Sequence, residues 1–220
     1  MLKASTFKFL KDLKKNNNKP WFDAHRSNYD DSREDLVALV ENVIKAIASF
    51  DKPIGSLQPK DCLFRINRDV RFSKDKSPYK SNLAAYFNHE GKKGLGAGYY
   101  LHIQPGNSFA AGGIWQPEPA VLAKIRQEID YSFDTWKKFV ANASFKKNFP
   151  TLFSDNEKLS RPPKGYDDEN PAIEFIKQKS FVVRHFLTDA EMQGKTLIKD
   201  LGKIYLAMNP LIDFINKAID

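Results

Sequence analysis

Arginines at positions 65, 68 and 71 surround Asp69, and Lys74, Lys76 and Lys80 follow among Asp75, Pro78 and Tyr79. A guanidinium can hold a carboxylate or phosphate through two parallel hydrogen bonds, and an aspartate between arginines fixes their orientation. From Arg65 to Lys80 there are six basic and two acidic residues, so this stretch alone carries half of the chain's formal charge of +8. Lysines elsewhere, such as Lys8, Lys11, Lys137 and Lys146, are scattered and read as a solvated surface. The local surplus points to a bound anion. The plainer alternative is a solvated face with internal Asp–Arg pairs.

Other residues are candidates for the same surface. In "GYYLHIQP" the alternation puts Tyr100, His102 and Gln104 on one side of a strand and Tyr99, Leu101 and Ile103 on the other. With the apolar set facing the core, the polar set joins the arginines. Gly112 and Gly113 permit close approach of a ligand or a neighbouring backbone, and Trp115 can wall the site. The candidate binding residues are therefore Arg65, Arg68, Arg71, Lys76, Tyr79, Lys80, Tyr100 and Trp115. Asp69 with His102 is a candidate acid–base pair.

Several chemistries lack support. His25, His89, His102 and His185 are widely separated and Cys62 is alone, so neither a metal site nor a disulfide framework is expected. "GKKGLGAG" lies between strands without the helix that a phosphate or dinucleotide loop needs, and no G-x-S-x-G elbow occurs. No cofactor is expected.

The elements that must position these residues follow from periodicity. Residues 6–15 predict a short helix. "NNNKP" stops it, and Trp21 to Phe50 predicts one long helix loosened near Asp30 to Ser32. "CLFRINRDVRF" (62–72) alternates like a strand, with Arg65, Asn67, Asp69 and Arg71 on one side at intervals of about 6.8 Å, and Arg68 on the apolar side is where it is expected to end or bulge. "LAAYFN", "YYLHIQ" and "SFAAGGIW" predict further strands joined by hairpin-length connections. Helices are expected from Pro119, over 133–141, 143–148 and 171–178, and over 195–219, with "SFVVRHFL" as a β-branched run between the last two. The polar loop "PKGYDDENP" reads either as a capped helix start or as a lid over the basic face. The expectation is a single α+β domain over residues 1–220. It has a helical part at 1–50, a β-rich core at 62–115 and a mainly helical part at 118–220, around a mainly antiparallel sheet of about four to five strands.

The blocks "FLKDLKKNNNKPWF", "FRINRDVRFSKDKSPYK", "YYLHIQP", "GGIWQPEP" and "RPPKGYDDENP" together resemble DUF2461, a family of conserved hypothetical proteins of bacteria and fungi. By that resemblance the family's motif residues are Arg65, Asp69, Arg71, Phe72, Lys76, Pro78, Tyr79 and Lys80, with Gly113, Trp115 and Pro117. Relatives often carry histidine before the proline of the last block, where this chain has Asn170. The resemblance implies one shared site and supplies no activity, substrate or cofactor.

The leading expectation is a cytoplasmic protein that binds a small phosphate- or carboxylate-bearing ligand on a basic sheet face. Nucleic acid is the second candidate partner, with Tyr79 or Trp115 stacking on bases. An enzyme using Asp69 and His102 on an anionic substrate is the third. A structural partner protein, self-associating through the apolar stripe of the C-terminal helix, is the fourth. No apolar run reaches membrane-spanning length, and the N-terminus does not read as a secretory signal.

Overall fold

A computed structural model gives the fold and describes residues 1–71, 74–153 and 157–220. Helix α1 (Ala4–Lys15) buries Phe7, Phe9, Leu10 and Leu13. The asparagine turn then caps α2 (Lys19–Ala24), where the Asn18 side chain accepts from the Trp21 N–H and Pro20 sits in the first turn. Helix α3 (Arg26–Ala48) buries Leu36, Val40, Val43 and Ile47 along one line. The predicted single helix therefore breaks at His25 rather than near Asp30. The His25 ring stacks on Trp21 at 4.1 Å and its Nδ1 bonds the Trp21 carbonyl at 2.8 Å, which stabilises the bend.

A short α4 (Pro59–Cys62) precedes the four-stranded sheet of β1 (Leu83–Phe87), β2 (Gly98–Ile103), β3 (Ser108–Ile114) and β4 (Phe181–Leu187). The strands lie in chain order and every neighbouring pair is antiparallel. Between β3 and β4 the chain forms α5 (Pro119–Tyr131), α6 (Phe133–Ala141), α7 (Ala143–Asn148) and α8 (Ile173–Ile176). After β4 come α9 (Asp189–Met192) and α10 (Leu197–Ile219). The architecture is α+β with an antiparallel sheet, as the sequence predicts.

Alternation assigns the two sheet faces. Leu83, Ala85 and Phe87 pair with Ile103, Leu101 and Tyr99, and all six are buried on the face toward α10. Gly112 lets α10 approach, since a Cβ there would stand 2.8 Å from Met208 Sδ. The stripe Leu201, Ile204, Met208, Leu211 and Ile215 of α10 is buried in this packing, so the face invoked for self-association is consumed inside the chain. A polar chain crosses the same layer. Asn209 donates to the Tyr99 hydroxyl, which donates to Asp51, and Asp51 also bonds His89 at 2.8 Å. Opposite α10 the sheet presents Tyr86, Tyr100, His102, Phe109, Arg184 and Phe186.

One expected strand does not form. Residues 63–71 run as irregular chain with two isolated bridges, Leu63 to Ala85 and Asn67 to Tyr79, and Phe72 lies outside the described residues. The place of a fourth strand is taken by β4, from the β-branched run near the C-terminus. Among the described residues no helix is long and apolar enough to cross a membrane.

A candidate ligand cleft on the open sheet face

The basic loop is braced from within. Arg71 donates from Nε and one terminal nitrogen to the two oxygens of Asp69, at 2.9 and 2.6 Å. Arg68 donates to Asp75 at 2.5 Å, and Asp75 also accepts from the Ser77 N–H and hydroxyl. Lys76 and Lys80 donate to the Val70 and Arg65 carbonyls. Arg65, Asp69 and Arg71 therefore do not line up on a strand face, and the expected basic sheet face is replaced by a self-bonded loop beside the sheet. Its alternating charges are the partners of one another, which imitates strand periodicity. Burial, then the Arg65 and Arg68 charges, hold the Lys80 ammonium below its ordinary pKa.

Asp69 and His102 both border a depression of about 530 Å³ with Arg68 and Lys80, but no hydrogen bond joins them. Hydrogen bonds from the Arg71 side chain and backbone keep the Asp69 carboxyl below its usual range. The His102 ring is engaged at both nitrogens, by the Tyr100 hydroxyl at 3.1 Å and by Gln104 Oε1 at 2.9 Å. With the Gln104 oxygen facing Nε2, that nitrogen carries the proton and Nδ1 accepts from Tyr100. Burial is the main cause that lowers the His102 pKa below 6.5. A neutral, oriented imidazole stacked on Phe109 at 4.6 Å is what this environment favours.

Tyr79 has a different place. Its ring is buried and stacks on Phe22 at 4.0 Å, while Asn17 bonds both its backbone N–H and its carbonyl. Tyr79 thus ties the basic loop to the N-terminal helices and does not face the cleft.

An aromatic cavity of about 620 Å³ lies on the open sheet face. Phe64, Tyr86, Tyr100, Phe109 and Trp115 line it, over a floor kept low by Ala111 and Gly113. Gly113 has φ +124°, and a Cβ there would meet the Phe181 carbonyl oxygen at 1.8 Å, so only glycine lets β3 and β4 pair beneath the cleft. Trp115 is 53% exposed at the rim. Its neighbour Gln116 takes a left-handed φ of 44° and is tied through its N–H to Ser180 Oγ, which turns the chain under the indole. The Tyr86 hydroxyl donates to the Gly96 carbonyl, and burial pushes it to about 12, so it stays neutral.

Sequence reasoning missed Arg184, which lines this cleft together with Lys92 and Glu118. Arg184 lies 5.6 Å from the Phe109 ring and 6.0 Å from the Trp115 ring. Among the described residues no carboxylate stands within ion-pair distance of it. The signal was a single arginine in the β-branched run "SFVVRHFL", at the alternation position shared with Val182 and Phe186. The loop at 161–171 lines none of these depressions. Asn170 instead donates to Asp130 on α5, and Asp168 pairs with Lys177, so the lid over the basic face is not formed.

Fold and cleft together define an α+β protein whose antiparallel sheet is packed by helices on one face and lined by aromatic rings on the other. The family model for the conserved hypothetical protein DUF2461 matches residues 5–214, and the chain belongs to that family. No curated protein and no solved structure matches it.

Proposed function

We propose that the chain binds a small anion with a planar, apolar body in the aromatic cleft, its negative end on Arg184. The observation that carries this reading is Arg184 itself, a guanidinium set over two aromatic rings beside a cavity of about 620 Å³ and without a carboxylate partner among the described residues. Cavities of roughly 300–1,000 Å³ with mostly apolar walls and a few placed polar groups are the usual form of small-molecule sites. Ring stacking on Tyr100, Phe109 and Trp115 would hold the body, and a charge-assisted hydrogen bond would hold the anionic group. This moves the anion site from the basic loop to β4.

Calorimetric titration of the chain with 2-naphthoate and with its neutral alcohol analogue tests it. The anion is expected to bind saturably and more tightly than the alcohol. Arg184→Ala should weaken the anion by about tenfold, the loss of one charge-assisted bond. Equal binding of anion and alcohol, or an Arg184→Ala protein that binds the anion like the parent, would reject the reading.

A further inference from the structure

A second cavity, of about 690 Å³, adjoins the aromatic cleft, and Phe64 and Lys92 border both. Its lining carries Arg26, Arg33, Lys60, Arg65, Lys92 and Lys93, against one carboxylate, Asp30. That carboxylate is already held by Arg26 at 3.2 Å. Lys92 donates to the Lys60 carbonyl, which fixes its position without neutralising it. Among the described residues Arg33, Lys60, Arg65 and Lys93 have no carboxylate within ion-pair distance.

The convergence follows from the elements. Arg26, Tyr29, Asp30 and Arg33 stand at steps of three, four and seven along α3, so they share one helix face. Arg65 comes from the braced loop, Lys60 from α4, and Lys92 and Lys93 from the turn between β1 and β2. The Arg26 guanidinium lies 5.5 Å from the Tyr29 ring. Burial raises the Tyr29 hydroxyl pKa, and Arg33 and Arg26 each pull it down. Like charges gathered from four separate segments repel one another, and a concave wall focuses their field on any anion that enters. A single carboxylate would leave most of them unmatched.

We infer that this groove is a binding site for a linear phosphate chain, a diphosphate or triphosphate. Two guanidinium forks, on Arg33 and Arg65, match phosphate oxygens in pairs, and the lysines supply point charges along the chain. The six cations line one hollow of about 690 Å³, a volume that suits a short polyanion; a nucleic-acid backbone is the alternative that the salt dependence below separates. The groove shares Phe64 and Lys92 with the aromatic cleft but not Arg184, and a nucleoside polyphosphate could use both. The shared chemistry is the phosphate chain, whether inorganic or the tail of a nucleotide.

The test is calorimetric titration of the whole chain with inorganic triphosphate, pyrophosphate, orthophosphate and sulfate at moderate salt. Triphosphate is expected to bind one site per chain, more tightly than orthophosphate or sulfate. Arg33→Ala and Arg65→Ala should each weaken it by about tenfold. Both side chains are exposed, and Lys93→Glu gives a third variant on a separate turn. Arg184→Ala should leave triphosphate binding unchanged, so failure of the aromatic cleft and failure of this groove read differently. A nucleoside triphosphate that binds more tightly than triphosphate, with the gain lost in Trp115→Ala, identifies a nucleotide. Equal binding of the two identifies the phosphate chain alone. Absence of triphosphate binding, affinity no better than for sulfate, or parental affinity in Arg33→Ala and Arg65→Ala would overturn the inference. Tighter binding of a single-stranded oligonucleotide than of triphosphate, with steep salt dependence, would overturn it in favour of a nucleic-acid surface.

Discussion

At the scale of single residues, charge in the sequence and charge available in the structure differ. Arg68 and Arg71 exceed their local acids in the one-dimensional pattern, but each has an aspartate in contact, as the plainer reading of internal Asp–Arg pairs has it. Arg184 looks incidental but has none among the described residues. Position along the chain leaves the choice open, because pairing depends on which loop turns toward which strand. His102 shows what environment adds. Its folded pKa lies below 6.5, so an unfolded chain takes up this proton while the folded chain does not. Stability therefore falls as pH drops through about 6.5 and levels off below the folded value; above 6.5 the group contributes no slope. Denaturant midpoints between about pH 7.5 and pH 5.5 should show a loss that is smaller in His102→Gln. Identical pH profiles for the two proteins would show that burial does not set this titration.

Among the elements, β2 was the most legible, since Tyr99, Leu101 and Ile103 alternate cleanly with Tyr100 and His102 and the sheet uses both sets as their chemistry suggests. Residues 63–71 were misread because Arg–Asp pairing within a loop also alternates. The β3 glycines allow a sharper test. Gly113→Ala must place a methyl group against a backbone carbonyl in a φ region that L-residues avoid, whereas Gly112→Ala meets a flexible methionine. The first should cost about 3 kcal/mol or more and the second about 1–2 kcal/mol, measured by urea denaturation. Equal costs would mean that the β3–β4 pairing can shift to admit the methyl group.

For the molecule as a whole, the sequence carried the α+β class and the apolar line of α10, both of which repeat over many residues. It did not carry the long-range ties, which rest on single side chains. Asn17 is one. Its amide bonds the Tyr79 N–H and carbonyl at 3.0 and 2.9 Å, as a neighbouring strand would, and so joins the first turn of the chain to the basic loop. Asn17→Ala leaves the Tyr79 N–H and carbonyl without these partners, and a loss of about 1–3 kcal/mol is expected with faster proteolysis around residues 64–82. An unchanged cleavage rate would show that the Phe22–Tyr79 stack holds the loop alone.

The order in which the strands join has a kinetic consequence. The first three follow one another through local connections at 88–97 and 104–107, but the fourth must wait until α5 to α8 have been made and folded back. Closing so long a loop is slow compared with zipping a hairpin. In the interval β3 offers an open edge of Phe109 to Ile114 to any other chain, a template for misassociation during synthesis. The last strand to arrive carries Arg184, so a nascent chain gains the aromatic rings of the cleft before this guanidinium.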